Sequence, residues 1–238
     1  MAVDADGGSS WRQAALRVRN AVRRLRMGAA TKEVSERVWR RRGGDDWVAG
    51  YWADDHSPRR DRLIEALRST FGAPSSVVDI GCNAAPNLRR IAAEFPACHL
   101  AGFDINEEAI AGARLRFADA GIAADLTVGS YYDLLPATPS DSTDVVISSF
   151  ALAYVPPANL PAVLDDLVRI AVRGLVLAEP HALDRQRAAG VLTVPWYDWR
   201  HDYASALVRL GVDRGRIEVS DLPEPGSPTA GLLVADLR

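Results

Sequence analysis

Two carboxylates frame the chemistry open to this chain. Asp79 falls at the end of the short β-branched run Val77-Val78-Asp79-Ile80, and Asp104, 25 positions further on, ends the run His99-Leu100-Ala101-Gly102-Phe103. Between them Gly81-Cys82-Asn83-Ala84-Ala85-Pro86 reads as a tight turn, and from Asn87 the apolar residues Leu88, Ile91, Ala92 and Phe95 recur at helical spacing. The order is strand, turn, helix, strand. In a parallel unit of this kind the ligand sits at the carboxyl ends of the strands. The first turn supplies backbone N–H groups and a helix N-terminus, while a carboxylate ending the second strand can accept from both hydroxyls of a ribose. The unit is therefore expected to hold a nucleoside-bearing cofactor. The turn has no second or third glycine where a pyrophosphate would need close approach of the backbone, which argues against a dinucleotide.

The elements that must position these groups follow in order. Trp11–Arg26 is expected to be an amphipathic helix with an apolar stripe of Trp11, Ala15, Val18, Val22 and Leu25, and Lys32–Arg42 a second short helix ended by Gly43-Gly44. Residues 45–62 hold Trp47, Tyr51, Trp52, His56 and a proline in a segment of open structure, before a helix over Arg60–Phe71. Glu107–Ala120 is a helix with two acids in its first turn. Asp125–Val128 is a third strand, Asp144–Ser149 an apolar run suited to a strand buried on both faces, Asn159–Ala171 a helix and Gly174–Glu179 a fifth strand. Residues 182–200 form a polar connection carrying Trp196, Tyr197 and Trp199, and a helix follows over Ala204–Leu210. Arg216–Val219 and Ala230–Ala235 pair as a closing hairpin.

Composition narrows the class. At 238 residues, 48% hydrophobic and 25% charged, the chain suits one globular domain with some decoration. No apolar run reaches the ~18 residues of a membrane span, and the N-terminus has no apolar signal region. The two cysteines, Cys82 and Cys98, argue against a disulfide framework and for a reduced, cytoplasmic setting, and neither has the company a zinc site needs. Net charge is −3, but residues 11–42 hold eleven Lys or Arg against two Glu. Such a basic stretch can meet acidic partners, or can solvate its arginines while its apolar stripe packs inward.

The run Asp-Ile-Gly-Cys-Asn-Ala-Ala-Pro-Asn-Leu at 79–88 resembles the first motif of class I S-adenosylmethionine-dependent methyltransferases, and more narrowly a bacterial subgroup with Gly-Cys-Asn-x-Gly-Pro-Asn-Leu. The resemblance implies an α/β, Rossmann-like three-layer sandwich. Its seven-stranded sheet would be mostly parallel with the last strand antiparallel, here with an N-terminal helical extension over 1–44 and the methyltransferase domain over 45–238. It implies S-adenosylmethionine as cofactor, held by Asp79, Gly81, Asn83 and Asn87 around the first turn and by Asp104 at the ribose, with Ile105 against the adenine. Ser130 and Tyr131 follow the third strand, where the family commonly has an Asp accepting from the adenine amino group. Ser149 and Phe150 end the fourth strand, which abuts the transferred methyl. Tyr51-Trp52 and the His56-Ser57-Pro58-Arg59-Arg60 run resemble the subgroup's entrance segment, so Arg60 is expected to pair with the cofactor carboxylate. Asn83 and Ala85 replace glycines of the motif, and Tyr154 stands where the subgroup has His.

Methyl transfer to a hydroxyl needs alignment and removal of a proton. Histidine suits that task, and the order of preference for the base is His201 and then His181, with His56 a further candidate, Asp202 or Glu179 as partners and Tyr154 orienting the acceptor. No metal is expected. The acceptor is expected to be a sugar, a glycan precursor or another small hydroxylated metabolite. Two alternatives stand beside it: methylation of nucleic acid with the basic helix on phosphates, and a non-catalytic relative that binds cofactor without turnover. The oligomeric state is open.

Overall fold

The structure is a computed structural model that describes residues 32–43, 45–53, 57–181, 191–193, 198–222 and 230–238. The expected helix over Trp11–Arg26, His56, Trp196 and Tyr197 lie outside the described residues.

Helices α1 (Lys32–Arg40), α2 (Asp45–Ala53) and α3 (Pro58–Ala66) precede the sheet, and α3 runs on through a π-helical turn, Leu67–Phe71. Then come β1 (Ser76–Ile80), α4 (Pro86–Glu94), β2 (His99–Asp104), α5 (Glu107–Asp119), β3 (Asp125–Val128), α6 (Tyr131–Ala137) and β4 (Thr143–Ser149). A 3₁₀ turn (Leu152–Tyr154) leads to α7 (Leu160–Ile170) and β5 (Ala171–Pro180). Two short strands, β6 (Val191–Thr193) and β7 (Asp198–Arg200), pair with each other outside the main sheet. The chain closes with α8 (Tyr203–Arg209), β8 (Ile217–Asp221) and β9 (Ala230–Asp236).

The main sheet has seven strands in the order β3-β2-β1-β4-β5-β9-β8. β1 pairs in parallel with both β2 and β4, β2 with β3, and β4 with β5, while β9 runs antiparallel between β5 and β8. The last strand is thus the antiparallel one, as expected. The segment over residues 45–53, left open by its sequence, is helical.

Alternation along the central strands explains why both faces are covered. Val145 and Ile147 of β4, with Val176 and Ala178 of β5, join a core with Leu63, Leu67, Leu88, Ile91, Ile110 and Phe117 from α3, α4, α5 and the π-helical turn. Val146, Leu175 and Leu177 point to the other side, against Leu135, Leu160, Leu164, Leu167 and Leu207 from α6, α7 and α8. Each strand therefore reads as a near-continuous apolar run, the pattern of a parallel sheet buried on both faces. The order of strands moves outward from β1 in one direction through β2 and β3, and in the other through β4 and β5. The reversal leaves a crevice at the carboxyl ends of β1 and β4, where open α/β sheets take their ligands. No helix among the described residues is long and apolar enough to cross a membrane.

Candidate functional site

The crevice is built first by the turn after β1. Gly81 (φ 69°), Asn83 (φ 52°) and Ala85 (φ 58°) all lie in the left-handed region, so the chain winds tightly before α4. Gly81 has no alternative here: a Cβ on it would come within 2.4 Å of the Ala151 Cβ. Asn83 and Ala85 adopt the same region as non-glycines, Asn with its usual tolerance and Ala at a cost of ~1–2 kcal/mol. Gly81 and Cys82 N–H groups both donate to the Phe103 carbonyl (2.9 and 3.0 Å), which ties the turn to the end of β2.

Asp104, the end of β2, is held by backbone. Its Oδ2 accepts from Asn83 N–H (2.8 Å) and its Oδ1 from Asn106 N–H (2.8 Å). Burial pushes its carboxyl up from the ordinary range, and the amides of Asn106, Asn83 and Ile105 pull the other way. The next helix, α5, is capped not by Asp104 but by Asn106, whose Oδ1 accepts from Ala109 N–H (2.9 Å). Asp104 is therefore free of capping duty and faces the crevice.

A cavity of about 200 Å³ fills the crevice. Gly81 and Asn83 line it from the first turn, Asn87 from the start of α4, Asp104 and Ile105 from the end of β2, Ser130 and Tyr131 from just after β3, Ser149 and Phe150 from the end of β4, and Tyr154 from the 3₁₀ turn beyond it. Arg60 of α3 lines it too, with its guanidinium donating to the Tyr51 carbonyl (3.4 Å). Phe150 is left-handed (φ 55°), a strained conformation for a bulky residue and of the kind that collects at functional sites. A second hollow of about 460 Å³ lies between α3 and the β8–β9 pair. It lies away from the carboxyl ends of the parallel strands, and its Arg62 and Glu65 pair with each other (2.8 Å).

Asp79 is not in the wall. It is fully buried one layer behind, where its Oδ2 accepts from Asn87 Nδ2 (3.1 Å), so it orients a wall residue rather than forming the wall. Its carboxyl is pushed up to about 7, chiefly by burial, with the Asn87 bond opposing and the charges of Asp104 and Glu179 adding to the rise. Its Oδ1 is buried without a hydrogen-bond partner among the described residues.

The expected bases lie away from this cavity. His201, the first of them, is 1% exposed, is not among the residues lining the cavity, and shares a hydrogen bond of 3.0 Å between Nε2 and the Val155 carbonyl. Burial lowers its pKa to about 4, which leaves it neutral and a weak acceptor of protons. His181 is also buried, is lowered by burial, and stacks on Tyr203 with ring centroids 5.5 Å apart. The bridge between residues 181 and 201 turns both side chains into a packed cluster with Tyr203. Their proposed partners are occupied elsewhere. Asp202 caps α8 through Ser205 N–H (2.9 Å). Glu179 accepts from Ser148 Oγ (2.7 Å) and from the N–H groups of Ala151, Leu152 and Ala153, fixing the 3₁₀ turn that carries Tyr154.

Several wall residues escaped the sequence. Ser35, Glu36 and Trp39, all on α1, line the cavity, with Arg59 and Ala151. Ser35 Oγ donates to the Tyr154 carbonyl (3.0 Å), Trp39 packs edge-on against Tyr154 (4.5 Å between centroids), and Asn106 Nδ2 donates to the carbonyls of Trp39 and Arg42. Arg59 lies over the Phe150 ring at 4.7 Å. The signal was the Ser-Glu-x-x-Trp spacing, one face of a helix, within a stretch dominated by its arginines.

Residues 77–174 match a family described as Methyltransferase domain. Among curated proteins, the trans-aconitate 2-methyltransferases of Mycobacterium ulcerans (strain Agy99) and Mycobacterium marinum (strain ATCC BAA-535 / M) are each 37% identical over 99 residues. That stretch covers 41% of this chain and 34% of each relative, so the chain spans about a third of the length of the curated relatives it matches. The fold is shared with solved methyltransferases. The N-terminal domain of EvdMO1 with SAH bound superposes with a TM-score of 0.59 at 17% identity, covering 76% of this chain and 81% of that one. Magnesium protoporphyrin IX methyltransferase (ChlM) from Synechocystis PCC 6803 with bound SAM gives a TM-score of 0.57 at 15% identity, with coverage of 83% and 86%.

Proposed function

We propose that this chain is a class I methyltransferase that uses S-adenosylmethionine to methylate an oxygen of a small acceptor, a sugar or another hydroxylated metabolite. The observation that carries the reading is Asp104: a carboxylate at the end of β2, clamped by Asn83 and Asn106 N–H groups and facing a cavity at the reversal point of the sheet. The family match over residues 77–174 supports it.

The residues fit such a cofactor. Asp104 can accept from a ribose diol, Ile105 offers an apolar wall to the base, and Arg60 presents a guanidinium to a carboxylate. When bound, the cofactor supplies a methyl carbon activated by a sulfonium. The chain's own part is to align the acceptor oxygen behind that carbon and to keep water out. Phe150 just after β4 and Tyr154 on the 3₁₀ turn, with Trp39 packed against Tyr154, form the aromatic side of the cavity where an acceptor would lie. We read α1 as part of this site rather than as an appendage to it.

A second reading is favoured by Arg59, whose guanidinium lies over Phe150 in the same wall. An acceptor carboxylate is already anionic at neutral pH, so it needs no base, and an arginine is suited to hold it. The partial likeness to trans-aconitate 2-methyltransferases points the same way.

Calorimetric titration with S-adenosylmethionine and S-adenosylhomocysteine tests the cofactor. Wild type is expected to bind both, and Asp104→Ala to lose on the order of a hundredfold in affinity, the worth of two charge-assisted hydrogen bonds. No binding to wild type would sink the proposal. Transfer of labelled methyl to panels of sugars and of polycarboxylates then separates the readings, because a methyl ester is released by mild base and a methyl ether is not.

A further inference from the structure

We propose that Glu36, on the N-terminal helix α1, is the residue that recognises the 6-amino group of the cofactor's adenine. The proposal rests on the adenosyl-cofactor reading and extends it to a residue outside the matched stretch.

The direction of the base follows from the site. With its diol on Asp104, a nucleoside has the first turn on one side, where Gly81 and Asn83 follow β1, and the end of β3 on the other. The first turn is where the rest of the cofactor must pass toward β4. The base is left with Ile105 and the Gly129–Tyr131 corner, since Val128 is the register partner of Asp104 and Gly129 N–H donates to the Asp104 carbonyl (2.9 Å). An exocyclic amino group arriving there is a donor and requires an acceptor.

Ser130 stands at that corner but is engaged. It caps α6, accepting from Tyr132 N–H (3.2 Å), and its one hydroxyl proton goes to Glu36 Oε1. The serine's one donor anchors the carboxylate, its oxygen keeps a single lone pair beside the Tyr132 bond, and the carboxylate, with several acceptor sites to spare, is the stronger acceptor of the corner. Glu36 lines the cavity, and α1 is fixed over it at three points: Ser35 on Tyr154, Trp39 on Tyr154, and Asn106 on the carbonyls of Trp39 and Arg42. An acidic acceptor thus reaches the end of β3 from a helix that precedes the sheet by more than one element.

A double-mutant cycle on the ligand and the residue tests this. Affinities of wild type and Glu36→Ala are measured by calorimetry for S-adenosylhomocysteine and for its purine analogue lacking the 6-amino group, with Asp104→Ala as a reference. Wild type is expected to prefer the adenosyl ligand by about tenfold or more, as a hydrogen bond to a charged group allows, and Glu36→Ala to bring the two within about twofold. Asp104→Ala should weaken both ligands alike and keep their ratio. An equal preference in wild type and Glu36→Ala would overturn the assignment of Glu36, as would a wild type that does not distinguish the ligands. Failure of wild type to bind either ligand would overturn the cofactor reading itself, and the proposal with it.

Discussion

At the scale of single residues, the first turn shows how much of the site depends on backbone that side chains resist. Gly81, Asn83 and Ala85 share the left-handed region within five positions, and Phe150 adopts it across the crevice. Only Gly81 combines that conformation with a direct steric limit, the Ala151 Cβ at 2.4 Å from a would-be Cβ. Gly81→Ala adds a left-handed penalty to a contact that must be relieved by moving the β4 end. The sum is expected to be on the order of 2–4 kcal/mol of stability. The denaturant midpoint checks the loss, and a titration with S-adenosylhomocysteine checks its companion, weaker binding from a displaced Asn83 N–H. An unchanged midpoint would mean that the turn relaxes without cost.

At the scale of elements, α1 is the part whose role is most distinct from its appearance. It contains no buried residue, yet three of its side chains face the cavity. Its attachment is a set of local contacts, and an aromatic pair such as Trp39 on Tyr154 is worth about 0.5–1.5 kcal/mol beyond its area. Trp39→Ala should therefore free the helix without disturbing the sheet. Trypsin is expected to cut at the exposed Arg37, Arg40 and Arg41 several-fold faster in the variant, with the thermal midpoint within about 2 °C of wild type and with S-adenosylhomocysteine slowing the cut. Equal cleavage rates would mean that the other two anchors suffice. The same element shows where the sequence stopped being readable. The strands and helices of the sheet were legible because burial on both faces leaves near-continuous apolar runs and because Asp79, Gly81 and Asp104 mark the strand ends. Ten of the eleven expected cofactor residues line one cavity for that reason. Asp79 does not, because a period of two along β1 sends the side chain before Ile80 under the turn rather than over it. Glu36 and Trp39 were not legible, since nothing local says that a helix 40 positions before the first strand's end will fold back on it. His201 misled for a related reason: a polar residue beside an acid at a helix start looks exposed, but the bridge to His181 draws it into the core.

At the scale of the molecule, the carboxyl edge of the sheet collects negative charge. Asp104 ends β2, and Asp79 and Glu179 stand one residue before the ends of β1 and β5; Asp104 and Glu179 each raise the carboxyl of Asp79, with only Arg60 opposing among the charges that act on it. Asp79 and Glu179 are both pushed up to about 7, burial being the largest cause for each. A cationic ligand, such as a sulfonium with an ammonium group, is the complement of such an edge. The consequence for stability has a definite sign. Unfolded, these carboxyls titrate near their ordinary values of 3.8 and 4.5; folded, near 7. Between those limits the folded state binds more protons, so stability falls as pH rises from about 4 through 7 and levels off above. Asn in place of Asp79 keeps a neutral amide that can still meet Asn87 and removes one of the two titrations. Asp79→Asn is therefore expected to lose less stability than wild type between pH 5 and pH 8, by on the order of 2 kcal/mol, measured as the difference in urea midpoints across that range. Parallel pH profiles for the two proteins would mean that Asp79 is ionised throughout, held so by Arg60 and Asn87 against its burial.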